Sequence, residues 1–348
     1  MNSKKNISKT VIKGMNLNQI TKWCEDLNQS SFRANQIYQW MYKHGVSNTG
    51  SMNNISKELK NIIDNQCTLN TLEIEKIDKS SVEKTQKILF KTHDGHYIES
   101  VSMVEKDRHT ICISSQIGCN VDCDFCATAS MGLIRNLLTG EIIDQAIAIR
   151  NMVKEPITNV VFMGMGEPFL NYERVINAAH ILHDHNGFGL GAKRITISTS
   201  GIVPMIDRFV KEKHKYKLAI SLNATDDNTR KKIMPINRRW PINDLIKSAS
   251  RFAARKNHNV MFEYVLLKGI NDTNQDAIRL AKLIRGIDCK VNIIPYNETD
   301  GKYKRPDDEK IEKFLEVLNK HRSGFRILVR WSKGQDIDAA CGQLAAKN

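Results

Sequence analysis

Three cysteines stand close together in the segment GCNVDCDFCATASMG: Cys119, Cys123 and Cys126, spaced C-x3-C-x2-C. Three thiolates on one loop can wrap a small metal centre. Structural zinc takes four protein ligands, and no fourth Cys or His stands nearby in sequence. A four-iron cubane held by three cysteines keeps one iron open for another ligand. Downstream lies Gly164-Met165-Gly166-Glu167-Pro168. Its glycines allow close backbone approach to a ligand, and Glu167 offers an acceptor to an ammonium group; a plain strand-to-helix turn would read the same way. Two further cysteines stand alone: Cys112, seven residues before the triad, and Cys341, in DIDAACGQLAAKN. A lone cysteine is most often a small buried hydrophobe. Cys24, Cys67 and Cys289 read that way, and spacing alone puts Cys112 and Cys341 with them.

Repeating strand-then-helix units must position these residues. Apolar strand patterns run over 110–114, 159–164, 194–199, 217–221, 261–267 and 290–295, separated by helical stretches, and 325–330 is a late extra strand. Such alternation predicts a parallel sheet with helices outside, and six units make a partial barrel. Reactive residues in barrels sit on loops after the strands, where the triad and GMGEP fall. Before the barrel, Leu17, Ile20, Trp23, Cys24 and Leu27 follow helical spacing, as do Ile37, Trp40 and Met41. A third helix starts at Ser56, an N-cap. Trp23 and Trp40 read as core. Segments 87–91 and 97–104 alternate as strands around Asp94-Gly95, a hairpin signal. The expected organisation is an N-terminal helical accessory domain (1–70), a β-hairpin extension (71–104) and an α/β partial (βα)6 barrel with a C-terminal cysteine tail (105–348).

The 348 residues are 41% hydrophobic and 26% charged, an ordinary globular balance. No apolar run approaches the ~18 residues of a membrane span, and the basic N-terminus lacks the apolar stretch of a secretory signal. A cytoplasmic protein is expected, where thiols stay reduced and eight cysteines point to metal or catalysis. The net charge of +14 suits a polyanionic partner as well as mere solubility. Lys193, Arg194, Arg230, Lys231, Lys232, Arg238, Arg239 and the run 302–305 are candidate phosphate contacts or solvated surface charges. No coiled-coil pattern or sustained apolar seam is present, so a monomer is expected.

The cysteine triad, with Phe125 before its last member and a strand ahead of it, resembles the radical SAM signature. GMGEP resembles that family's site for the amino group of S-adenosylmethionine (SAM). The segments TICISSQIGC, GMGEPFLNYERV, ITISTSGIVP, AISLNA, MPIN, NIIPYN and DIDAACGQLA together are similar to the RlmN/Cfr group of radical SAM RNA methyltransferases. The resemblance covers nearly the whole chain. FRANQIYQWMYKHG is similar to the adenine-C2 branch, specific for 23S rRNA and tRNA.

The resemblance implies a [4Fe-4S] cluster on Cys119, Cys123 and Cys126, and SAM held by Gly166, Glu167, Ser198, Ser221, Leu222, Asn223 and Asn297. It implies that Cys341 carries the methyl group, that Cys112 resolves the covalent enzyme–RNA intermediate to leave a Cys112–Cys341 disulfide, and that Glu99 is a proton acceptor. The family usually has Ser-Leu-His where this chain has Ser221-Leu222-Asn223; Asn still donates and accepts. Two SAM molecules are implied, one methylating Cys341 and one supplying a radical. A flavodoxin-like one-electron donor and a thiol reductant are implied partners, beside 23S rRNA and the tRNA adenosine next to the anticodon. Adenine-C8 methylation by the resistance branch is the nearest alternative. A radical SAM activase or mutase and a non-catalytic iron–sulfur RNA-binding regulator lie further off.

Overall fold

The computed structural model describes residues 9–299 and 301–346. The first eight residues of the expected helical domain and the end of the tail lie outside them. Strand β1 (Thr10–Val11) pairs in parallel with β2 (Cys67–Thr68). Between them run α1 (Leu17–Asp26), α2 (Ser31–Tyr38), a π-helical turn (Gln39–Lys43) and α3 (Lys57–Gln66). Asn16 caps α1 in a capping box with Gln19, and the Ser56 hydroxyl caps α3 by accepting from Leu59 N, each satisfying an orphan donor of the first turn. Ile20, Cys24, Ile37, Leu59 and Ile63 turn inward, with Trp23 and Trp40 packed half-buried against them.

The expected hairpin is part of a three-stranded antiparallel block: β3 (Leu72–Lys79), β4 (Thr85–Thr92) and β5 (Tyr97–Glu105). Gly95 takes φ +82° in the turn between β4 and β5, which an L side chain resists. β3 escaped the sequence pattern because its face is largely exposed and a bulge between Ile74 and Lys76 breaks the alternation.

β5 pairs antiparallel with β6 (Arg108–Cys112), so the block and the barrel share one ten-stranded sheet. A small hairpin follows, β7 (Gln116–Gly118) and β8 (Leu133–Asn136), then α4 (Thr139–Met152). Strand and helix then alternate through β9 (Asn159–Phe162), α5 (Tyr172–His183), β10 (Ile195–Thr199), α6 (Val203–Lys211) and β11 (Lys217–Ser221). After α7 (Asp227–Ile233) and α8 (Ile242–Ala253) come β12 (Val260–Leu266), α9 (Asn274–Leu283), β13 (Cys289–Pro295), α10 (Asp308–His321) and β14 (Arg326–Val329). The parallel strands lie in the order β6-β9-β10-β11-β12-β13-β14. The late strand is therefore a seventh parallel one. β9 to β13 are mostly buried on both faces, which is why they read as near-continuous apolar runs, whereas β14 at the margin is partly exposed.

α4 joins the N-terminal helices to the sheet. Lys13 and Asp144 form a buried ion pair at 3.2 Å, and Asp144 also accepts from the Thr71 amide and hydroxyl at 2.7 and 2.6 Å. A Cβ on Gly14 would lie 2.3 Å from Gly140 N, so the backbones meet where only glycine fits. No helix among the described residues is long and apolar enough to cross a membrane.

Candidate active site

β6 ends at Cys112, and the β7–β8 hairpin projects the cysteine loop over the C-terminal ends of the strands. The loop's base needs a glycine: Gly118 has φ +73°, and a Cβ there would lie 1.7 Å from the Gly132 carbonyl. Cys119 N donates to that carbonyl at 3.0 Å. Outside support comes from Asp124, whose amide donates to Ile233 O and whose carboxylate accepts from Tyr303 Oη at 2.7 Å. Cys119, Cys123 and Cys126 are all half-buried and line one cavity with Cys112 and Cys341.

The thiols fit a metal cluster electrostatically. Burial pushes Cys119 up to about 12, with Glu167 and Cys126 adding to it. Cys123 lies well above the usual thiol range, through burial and then its two triad neighbours. Mutual repulsion of thiolates is relieved by bound cationic iron, which deprotonates its ligands. Among the described residues no three His, Cys, Asp or Glu gather closely enough to hold a metal ion. Three thiols lining one cavity fit the three-cysteine hold of a four-iron cluster.

Beside the triad, Gly166 (φ +94°) turns the chain after β9; a Cβ would lie 2.4 Å from Gln116 Cβ. Glu167 is buried and accepts from Phe169 N at 2.9 Å and Ser200 N at 2.6 Å. Burial raises its carboxyl despite these donors. Gly166, Glu167, Ser198, Ser221 and Asn223 all line the cavity. Asn223 sits in the left-handed region (φ +55°), which Asn tolerates. Its Oδ1 accepts from Val265 N at 2.9 Å, so this side chain ties β11 to β12 at the cavity wall.

Leu222 and Asn297 lie outside the lining. The Leu222 side chain is in the core and only its backbone faces polar groups. Asn297 holds the tail: Nδ2 donates to the Cys341 carbonyl at 3.0 Å, and Oδ1 accepts from Gln335 at 3.0 Å. Four more hydrogen bonds seat the tail. Ala127 N donates to Gly342 O at 2.7 Å and Thr128 Oγ1 to Leu344 O at 2.6 Å. Glu99 Oε2 accepts from the Ala345 and Ala346 amides at 2.9 and 3.0 Å, while Lys87 lies 3.4 Å from Oε1. The structure thus places Glu99, 3% exposed, under the tail and not in the cavity lining.

The Radical SAM superfamily model matches residues 113–281, and the Ribosomal RNA large subunit methyltransferase N-terminal domain model matches residues 10–69. The dual-specificity RNA methyltransferase RlmN of Anaeromyxobacter sp. (strain Fw109-5) is 42% identical over 97% of this chain and 90% of its own length. The probable dual-specificity RNA methyltransferase RlmN of Clostridium botulinum (strain Alaska E43 / Type E3) is 43% identical over 94% of each. The chain belongs to the RlmN family of radical SAM RNA methyltransferases. The crystal structure of a radical SAM methyltransferase from Sphaerobacter thermophilus superposes with a TM-score of 0.93 at 41% identity, covering 97% of this chain and all of that one.

For an RlmN-family enzyme the superfamily implies SAM and a [4Fe-4S] cluster. Two expectations from sequence need correction. Cys112 and Cys341 are not joined in a disulfide: all eight cysteines are free. Burial pushes Cys112 up to about 12; Cys341 is an exposed residue, and desolvation of its thiol at the cavity wall pushes it up to about 11, with Arg330 opposing the rise at both.

Arg230 is the second correction. Expected among the phosphate contacts, it is 0% exposed. Its guanidinium donates to the carbonyls of Ser200 (2.6 Å), Ser221 (2.9 Å) and Leu222 (2.9 Å), and to Asn237 Oδ1 (3.1 Å). It gathers the chain just beyond the ends of β10 and β11, where Ser221 and Asn223 enter the RlmN-family cavity. Burial pulls its own pKa down to about 10. The sequence context RKKI made it look solvated; only the fold shows otherwise.

Proposed function

We propose that this chain methylates C2 of an adenosine in 23S rRNA and of the tRNA adenosine next to the anticodon, with Cys341 as methyl carrier and Cys112 as resolving thiol. The observation that carries this reading is the shared cavity: strand β6 and the C-terminal tail bring both thiols to the wall that also holds the cluster cysteines. C2 of adenine is electron-poor and no nucleophile, so direct methyl displacement fails there. A nucleophilic thiolate can take the methyl instead. Cluster and SAM, held by the triad and by Gly166, Glu167, Ser198, Ser221 and Asn223, supply one-electron cleavage of SAM, for two SAM molecules per product.

Cys341 then holds the one-carbon unit against the base. Its carbonyl, fixed by Asn297, and the residues behind it, fixed by Ala127, Thr128 and Glu99, keep the sulfur at the cavity. The base–methylene adduct gives up one electron, which the cluster would accept, and its C2 proton, which Glu99 takes. The Cys112 thiolate then attacks the Cys341 sulfur, the carbon–sulfur bond breaks, the methylene carbon takes up a proton to become the methyl group, and the methylated base departs. The resulting disulfide needs an external thiol reductant and the cluster an external one-electron donor. Glu99 is the proton acceptor in this reading, and its bonds to the Ala345 and Ala346 amides hold the tail beside it. The N-terminal helices form the accessory unit of this reading, and the reduced thiols suit the cytoplasm.

The test uses anaerobically reconstituted protein, SAM with a deuterated methyl group and RNA lacking the modification. 2-Methyladenosine that gains two deuterium atoms is expected. 8-Methyladenosine would move the target to the other ring carbon. Intact SAM cleavage with no labelled adenosine would sink the methyltransfer scheme, and Cys341→Ala should reproduce that pattern.

A further inference from the structure

We infer that Trp331 is a stacking platform for the nucleobase adjacent to the methylated adenosine, an inference that rests on the RNA-adenosine reading above. Trp331 follows directly on β14 and Arg330, at the C-terminal end of the seventh parallel strand. It lines the same cavity as Cys112, Cys341 and the cluster cysteines, yet is 56% exposed. Among the described residues the other strongly exposed aromatic ring, Phe32 on α2, is not part of the cavity. A large apolar ring left open at a reaction site marks a binding surface.

The ring is also held ready. The Arg305 guanidinium lies over it, 5.6 Å from the centroid. Arg305 is itself tethered, by its backbone amide to Glu298 at 3.1 Å and by an ion pair with Asp308. A guanidinium on one face of an indole fixes its plane, and a pre-ordered surface loses little entropy on binding.

The partner follows from the reaction. An enzyme that works on a ring carbon must take the base out of its stack. The adenosine enters the cavity towards Cys341, and its neighbour loses a stacking partner at the mouth. An indole there replaces it, and the chain's +14 charge draws in the phosphates. Stacking tolerates any base, which suits an enzyme serving two RNAs of different sequence.

The experiment measures binding and turnover of a stem-loop RNA with one unpaired adenosine, using wild type, Trp331→Ala and Trp331→Phe holoenzymes. Trp331→Ala is expected to weaken Kd and KM roughly 5- to 150-fold, with most of it regained by Trp331→Phe. RNA made abasic at the flanking nucleotide should weaken wild type by a similar factor and Trp331→Ala no further. Unchanged RNA affinity in Trp331→Ala, or losses that multiply between the variant and the abasic RNA, overturns the inference. So does a fall in kcat with Kd unchanged, since the ring would then serve the target base or the tail. Wild-type protein that binds this RNA but makes no methyladenosine would refute the functional reading instead, leaving the binding cycle to decide the stacking separately.

Discussion

Replacing Arg230 by Lys keeps the charge and removes the fork. The guanidinium serves three backbone carbonyls and the Asn237 side chain from a fully buried position. An ammonium on a shorter stem reaches one or two of them. Each buried carbonyl left without a donor costs about 1–3 kcal/mol, and disrupting a buried, hydrogen-bonded charge costs about 3–5 kcal/mol in all. Arg230→Met also strands the carbonyls but escapes the cost of burying a cation, which is several kcal/mol. The expectation is therefore that the chemically conservative Lys variant is at least as damaged as Met. The assay is thermal unfolding of cluster-free protein at neutral pH, with SAM affinity of the reconstituted enzyme alongside. A loss of 3–5 kcal/mol lowers Tm by on the order of 5–10 °C in a chain of this size. SAM affinity should fall too, because the carbonyls belong to Ser200, Ser221 and Leu222 beside the cavity. A Lys variant within 1–2 °C of wild type would refute the reasoning, since water or backbone shifts would then satisfy those carbonyls at little cost.

Three further outcomes follow from the site. Glu99→Ala should release the tail, raising amide exchange at Ala345 and Ala346 on the order of 100-fold because two bonds to a charged acceptor are lost, while Glu99→Gln retains much of the protection; unchanged exchange in both would count against the anchor. With its thiol raised from 9.0 to about 11, Cys341 of cluster-free protein has about 100-fold less thiolate at neutral pH than an ordinary cysteine. Its alkylation rate should therefore climb about tenfold per pH unit from 7 to 10, and a plateau near pH 9 would contradict the burial argument. Gly166→Ala places a Cβ 2.4 Å from Gln116 Cβ at φ +94°, and should cost roughly 2–5 kcal/mol from strain and overpacking. Its test is the urea midpoint, and wild-type stability would mean that the turn relaxes freely.

What the sequence made legible was local. The triad, GMGEP, the Ser56 cap, the Asp94-Gly95 turn and the barrel rhythm each depend on neighbours within a few residues, where spacing carries the information. Features set by distant pairs were not legible. Glu99 meets the tail across 246 and 247 residues, and Asn297 meets Cys341 across 44. No periodicity encodes such contacts, so only the resemblance drew attention to those residues, and their bonds to the tail became visible only in the fold. The short β7–β8 hairpin under the cysteine loop has too few residues to show alternation. Trp331 stands just past the late apolar segment 325–330 and carried no signal in sequence, because its exposure beside the cavity depends on how β14 closes the sheet.

The partial barrel leaves β3 as one open margin of the ten-stranded sheet. A row of unpaired amides and carbonyls there would template pairing with any other extended chain. β3 reads Leu-Glu-Ile-Glu-Lys-Ile-Asp-Lys, so five of its eight residues carry a charge, Lys76 and Asp78 pair at 2.9 Å, and a bulge distorts the strand midway. Ile74 and Ile77 are the apolar residues left open on it. The margin therefore repels the cross-chain strand addition that leads to fibrils and insoluble aggregates, and neutralising Glu75 and Lys76 together is the change that would remove that protection.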